Sequence, residues 1–370
     1  MKKINIKQIL LATVILFALL FKYWSIWGLA DDSIKYIFFI ASIFLSVINI
    51  IVKKFSKREI RKIVILLVIS IIICYSTGEI DFIYSLLLAI IFVKEENGDY
   101  LFIKYFVIFA ICLFLLTITM WKIGVINSFE SVRLVNGVLT RRNSLGFEHV
   151  NAVFKNFFPI CLGAYMLSYD EDKKKRIALY VIMIVTGFLL YKATDSRTGF
   201  YAILMIAPLD YMISKVEKHH KLGITKYFFL IFSIISVIIA FVFGKSNNSI
   251  NELLSDRPIL YYQVLTQSKV SLFSDANKGI VDNTYIWLLY HRGLIVYITY
   301  LTIYIKSTKK LINNKMFVLP LQLFCMYATL ENLDVYNYNF LLIIQLMIII
   351  KSNKVKYMWI YDGNREKEIK

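Results

Sequence analysis

The sequence predicts an all-α integral membrane protein, and three observations carry that prediction. Of the 370 residues 58% are apolar and 16% aromatic, with a mean hydropathy of +0.64; a soluble domain is nearer half apolar and more heavily charged. The apolar residues come in unbroken runs, whereas a transmembrane barrel would show alternating segments of about ten residues. Turn punctuation is sparse, with 14 glycines and 4 prolines in the whole chain.

A helix needs about 20 residues to cross the hydrocarbon core, and about 17 suffice. The runs then give about twelve helices, near 9–30, 34–52, 63–77, 80–93, 100–121, 151–169, 177–193, 199–214, 227–243, 284–305, 316–333 and 338–350. Met1-Lys2-Lys3 and the run from Ile9 resemble a signal peptide, but the run continues through Lys22 to Trp27. That length favours an uncleaved first span. Alternate connections collect Lys and Arg: Lys53 to Lys62, Lys173 to Arg176, Lys215 to Lys226, Lys306 to Lys315, and the tail after Lys351. Cytoplasmic loops are the ones enriched in these residues, so both termini are expected in the cytoplasm. The same bias accounts for the net charge of +18 without nucleic acid as a partner.

On this topology the chain is one polytopic domain, 1–370, with two long outer loops, 122–150 and 244–283, and a solvated basic tail, 351–370. Pro258 to Phe273 has apolar residues at helical spacing and is expected to lie as an amphipathic helix on the membrane surface. Cys74, Cys112, Cys161 and Cys325 all fall within apolar runs with no paired spacing. They read as small buried hydrophobes, giving neither a disulfide framework nor a metal site.

The stretch Arg141-Arg142-Asn143-Ser144-Leu145-Gly146-Phe147-Glu148-His149-Val150-Asn151 is the chemically dense part of the chain. Each charge at a membrane edge carries a desolvation cost, and a plain connection needs none of them. Arg133, Arg141, Arg142, Arg197 and Arg257 all lie on the expected outer side, where the positive-inside rule should deplete them. Each singly fits a lipid headgroup contact. Together they point to anion binding, because the guanidinium fork matches phosphate oxygens. Thr194-Asp195-Ser196-Arg197-Thr198-Gly199 immediately precedes a predicted helix, whose first N–H groups also favour phosphate. The acidic set on this side is Glu148, Asp195, Asp256, Asp282, Glu331 and Asp334, with His149 as its histidine. A carboxylate there can deprotonate a sugar hydroxyl. Asp282, just ahead of the predicted helix at Thr284, is equally suited to be an N-cap. Lys155 and Arg292 lie within predicted spans and are candidates for a lipid-phosphate path.

At these residues the chain resembles the O-antigen and capsular polysaccharide polymerases (Wzy-type), in the superfamily that also holds the O-antigen ligases. Arg142-x-x-x-Gly146-Phe147-x-His149-x-Asn151 is similar to that family's Arg-x-x-x-Gly-Phe-x-His-Pro-Asn, with Val150 at the proline. Ser196-Arg197-Thr198-Gly199 resembles its Ser-Arg-Thr/Gly turn, and Ser255-x-Arg257 its Ser-Gly-Arg element, with Asp256 at the glycine. Asp282-Asn283-x-Tyr285 followed by Gly293-Leu294-Ile295 resembles the segment that closes the large outer loop, where the ligases often carry histidine at the position of Asp282.

The resemblance implies a glycosyltransferase C-like, metal-independent and cofactor-free enzyme of the bacterial plasma membrane. It would transfer a growing glycan from undecaprenyl pyrophosphate to a lipid-linked repeat unit at the outer face. Membrane lipid and a chain-length regulator protein are the other partners implied. Asp282 would be the base, with His149 and Glu148 as competing catalytic residues. Arg142, Arg197, Arg257 and Arg133, with Asn151, Asn283 and Tyr285, would bind pyrophosphate or glycan. Two other classes fit in part: a ligase of the same superfamily, and a lipid-linked oligosaccharide flippase, which needs charges lining a cavity through the bilayer.

Overall fold

Backbone in hydrocarbon must satisfy its own N–H and C=O groups, so long apolar runs fold as helices. The computed structural model describes residues 6–29, 32–135, 138–169, 171–216, 222–245, 251, 254, 256–274, 281–311, 314–333 and 340–351; the expected basic tail from 352 onward lies outside them. In chain order the helices are α1 (Ile6–Trp27), α2 (Asp32–Ile51), α3 (Lys57–Thr77), α4 (Asp81–Val93), α5 (Gly98–Lys122), α6 (Val150–Leu167), α7 (Lys173–Thr194), α8 (Arg197–Leu204), α9 (Ile206–Val216), α10 (Phe228–Phe243), α11 (Arg257–Gln267), α12 (Thr284–Tyr290), α13 (Leu294–Leu311), α14 (Lys315–Ala328) and α15 (Phe340–Ile350). Among the described residues, seven helices are long and apolar enough to cross a membrane: α1, α2, α3, α5, α6, α7, and α10 with the turn before it. By length and composition this is a multi-pass membrane protein.

The structure departs from the sequence expectation in four places. The helix over 316–333 ends at Ala328 as α14, 14 residues long and, at about 1.5 Å per residue, short of a hydrocarbon core of about 30 Å; the short runs over 80–93 and 338–350 form as α4 and, within the described residues, α15. The predicted helix over 199–214 breaks at Met205 into α8 and α9. The one over 284–305 breaks at His291-Arg292-Gly293 into α12 and α13. There Gly293 turns left-handed at φ 91°, and Leu294 and Ile295 donate their N–H groups to the carbonyls of Ser271 and Leu272 instead of to a preceding turn. The surface helix expected over 258–273 stops at Gln267, and the Ser271 and Leu272 carbonyls beyond it accept these two bonds. Finally, the 122–150 loop carries an antiparallel hairpin of β1 (Glu130–Val135) and β2 (Val138–Asn143), with Ser131 opposite Arg142 and Val132 opposite Arg141.

The contacts divide the chain into two compact units. The first is built from the described residues of Met1–Phe55 and Leu87–Pro208, the second from those of Ser56–Leu86 and Leu209–Lys354. In the first, α6 is the central helix, buried on most of its surface and packed against α5, α7 and α8. α2 and α7 instead leave large apolar side chains such as Ile40, Phe44, Ile182 and Leu189 exposed, as lipid-facing helices do. In the second unit α15 is buried on nearly all sides. α3 begins with a reciprocal Ser56–Glu59 capping box, and the turn after it is held by an ion pair from Glu79 to Arg292, whose guanidinium lies 4.3 Å over the Trp287 ring. The arginine expected within a span thus lies at a helix break and is tied to a carboxylate.

The approach of α8 to α6 depends on Gly199. A Cβ there would fall 2.3 Å from Cβ and Cγ of Phe154, a fully buried side chain. Gly199→Ala is expected to destabilise the protein by about 1–3 kcal/mol through overpacking, read as a lowered midpoint of thermal unfolding in detergent.

Candidate functional site

Two polar clusters gather most of the chemically suggestive residues, one in each unit. In the first unit, strand β2 carries Arg142 to the junction of α7 and α8. Its Nε donates to the carbonyl of Thr194 at 2.9 Å, and a terminal nitrogen reaches the Asp195 carbonyl and Asn151 Oδ1, each at 3.4 Å. Asp195 ends α7 in the left-handed conformation, φ 48°. Ser196 then caps α8 by position, yet its side chain makes no capping bond. The Ser196 hydroxyl is buried, at 1% exposure, and has no hydrogen-bond partner among the described residues. The first-turn N–H groups of a helix lack intrahelical acceptors and carry partial positive charge. Arg197, the first residue of α8, lies 3.7 Å from the Asp195 carboxylate. The junction therefore offers two guanidinium groups, an uncommitted hydroxyl and a helix N-terminus, which is a set suited to an anion.

The loop leading into α6 is shaped by Leu145 and Gly146, both left-handed. A Cβ at Gly146 would meet Trp121 Cβ at 2.8 Å and Ile126 Cδ1 at 2.9 Å, so only glycine fits. His149 caps α6: its Nδ1 accepts the Asn151 N–H at 3.1 Å. Its ring lies 5.8 Å from that of Phe129 and is exposed, as is Glu148. Asn151 is buried beside Arg142. Arg133 is on β1 opposite Thr140, and its side chain lies outside the described residues.

In the second unit the cluster forms where α11, α12 and the end of α14 meet. Arg257 is 2.5 Å from Glu331 and 3.7 Å from Asp282. Burial alone would lower the pKa of the guanidinium; the Glu331 carboxylate, with Asp282 behind it, more than offsets this and raises it. The two acids differ sharply in access: the Glu331 side chain is fully buried, while that of Asp282 is 39% exposed. Tyr261 fixes the Asp282 backbone by donating its hydroxyl to that carbonyl at 2.6 Å. Its own pKa is pushed up by burial.

The cap of α12 is Asn283. Its Oδ1 accepts the N–H groups of Tyr285 and Ile286, both at 3.0 Å, and its Nδ2 donates to the Thr329 carbonyl and to Ser236 Oγ. Asp282 is thereby free of the capping duty that the sequence equally allowed. Asn283 and Tyr285 are both buried, and the Tyr285 hydroxyl donates to the Cys325 carbonyl at 2.8 Å. Thr284 Oγ1 donates to the Glu331 carbonyl at 2.8 Å, binding the start of α12 to the end of α14.

Within each unit the structure brings together Arg142, Asn151, Asp195 and Arg197, and separately Arg257, Asp282 and Asn283. Glu331 stood among the candidate carboxylates, but its pairing with Arg257, 74 positions away, was missed, as was Tyr261, which the sequence marks only as part of an amphipathic helix. Comparison with protein-family models, curated proteins and solved structures gives no match.

Proposed function

We propose that the protein is a polysaccharide polymerase of the Wzy type. It transfers a growing glycan from undecaprenyl pyrophosphate to the sugar hydroxyl of a lipid-linked repeat unit at the outer face of the bacterial plasma membrane, which it crosses several times. The observation that carries the reading is the Arg257–Asp282–Glu331 cluster, in which one carboxylate is sealed against arginine and the other stays open. Such an open carboxylate can take the proton of an acceptor hydroxyl as the glycosidic bond forms. With both acids ionised the cluster carries one net negative charge, so it suits a base better than a pyrophosphate site. A separate anion-binding role, within the first unit, falls to Arg142, Ser196, Arg197 and the α8 N-terminus, a set that suits the pyrophosphate of a lipid carrier. The sequence resemblance and the multi-pass helical architecture support the same assignment.

Arg142→Lys tests the donor site. A single ammonium cannot span the Thr194 and Asp195 carbonyls and still present a fork to phosphate. The Michaelis constant for the lipid pyrophosphate donor is expected to rise by about tenfold or more, and an unchanged constant removes Arg142 from the site. The class of enzyme is tested in cells. Strains lacking the protein should carry glycans of a single repeat, with long chains restored by the wild-type gene. A ligase would leave long glycan accumulating on the lipid carrier, and a flippase would leave repeat units trapped inside.

A further inference from the structure

The hairpin has two unlike faces. Strand residues alternate sides, and the register pairs Ser131 with Arg142 on one face and Val132 with Arg141 on the other. Arg142 points to the α7–α8 junction and is half-buried there. On the opposite face Val132, Leu139 and Arg141 are exposed, the arginine side chain to 85%. This face continues an apolar strip: Ile123, Val125, Phe129, Val132 and Leu139 are all between 48% and 70% exposed. Five large apolar side chains open in one short stretch are far more than scattered surface hydrophobes.

We infer that this face of the β1–β2 hairpin lies in the headgroup layer of the membrane, with Val132 and Leu139 against the acyl boundary and Arg141 and Lys122 on lipid phosphates. Continuity with a span carries the choice of occupant. The strip begins where α5 ends, and α5 itself exposes Ile108, Ile111, Leu115 and Leu116 along its length. The hairpin cannot stray from that end: Val125 N–H bonds the Met120 carbonyl, Ile126 is buried, and Phe129 N–H bonds Ser144 Oγ. Charge completes the match: the exposed cations Lys122 and Arg141 flank the apolar side chains, and Glu130, 3.8 Å from Arg141 on the same face, offsets one of the two charges and leaves the face cationic. This is the amphipathic signature of an interfacial element, with its apolar side sunk about 5–10 Å into the headgroup boundary. Since Arg142 projects from the same two strands, the hairpin would also set the Arg142–Ser196 junction at the depth of lipid phosphate. That last consequence rests on the proposed function, whereas the docking itself does not.

The test needs no activity. Leu139→Cys, with Cys74 and Cys112 replaced by alanine, is labelled with nitrobenzoxadiazole and reconstituted in phosphatidylglycerol–phosphatidylethanolamine vesicles; Val132→Cys serves as a second, independent site. The expected result at both sites is blue-shifted emission, loss of intensity with a shallow-chain nitroxide lipid, and little loss with aqueous iodide. Quenching by iodide and not by the nitroxide lipid overturns the proposal. So does nitroxide-insensitive, blue-shifted emission that reverts on dilution of protein in lipid, which would mean that a second copy covers the face.

Discussion

Replacing Asp282 by asparagine is expected to lower polymer formation by about two orders of magnitude or more, the scale of lost general-base assistance, while leaving expression and stability intact. The structure makes this substitution unusually clean. α12 is capped by Asn283, so the Asp282 side chain contributes no capping bond that asparagine would have to replace. Its backbone is fixed by Tyr261 through the carbonyl, which the substitution keeps. Its carboxylate sits 3.7 Å from Arg257, a partly exposed contact of modest stabilising value. What the asparagine removes is the ability to accept a proton. Single-turnover product formation is the measurement, because it isolates chemistry from donor release. Near-normal turnover would move the base to Glu148 or His149, of which His149 already commits its Nδ1 to the α6 cap.

The largest effect on stability is expected at Glu331. Its carboxylate is fully buried against a guanidinium only 8% exposed, and removing one partner of such a pair leaves an uncompensated charge. Glu331→Leu should therefore cost about 3–5 kcal/mol, reduced to the extent that Asp282 moves in to pair with Arg257. Adding Arg257→Met should restore much of the loss, since apolar replacements of similar volume often match a buried ion pair. Thermal unfolding of the two single variants and the double variant in lipid nanodiscs closes the cycle. If the losses of Glu331→Leu and Arg257→Met simply add, the pair is not the unit described here.

The architecture was largely legible in sequence because hydrocarbon imposes length and hydropathy together. The limits of α1, α2, α5, α6 and α7 fall within a few residues of the apolar runs, apart from the start of α7. Continuity within a run was not legible. The run over 284–305 is apolar on both sides of His291-Arg292-Gly293 and reads as one helix, and the strap from Ser271 and Leu272 that takes over the backbone bonds is remote in sequence. The hairpin did leave a signal: Asn136-Gly137 between two alternating segments is the residue pair that two-residue hairpin turns favour, but the basic residues around it read as a loop.

The site divides in the same way. Arg142, His149 and Asn151 were visible because they lie close together in one stretch, and the structure keeps Arg142 bonded to Asn151 and His149 at the head of α6. The pairing of Arg257 with Glu331 was hidden, because it depends on α11 and the end of α14 meeting in space. The cap was ambiguous by one position, since aspartate and asparagine are both strong N-caps and stand side by side at 282 and 283. Only backbone geometry separates them: Asn283 is extended, with φ −150° and ψ 116°, and receives two N–H groups.

The proposal that this chain is a polymerase is tested most directly by giving the purified, reconstituted protein one substrate, a synthetic lipid-pyrophosphate repeat unit, with no other acceptor. A polymerase uses the same molecule as donor and acceptor, so a ladder of products spaced by one repeat unit should form and should be lost in Asp282→Asn. Recovery of the starting lipid alone, from protein that is folded and reconstituted, would contradict the proposed function.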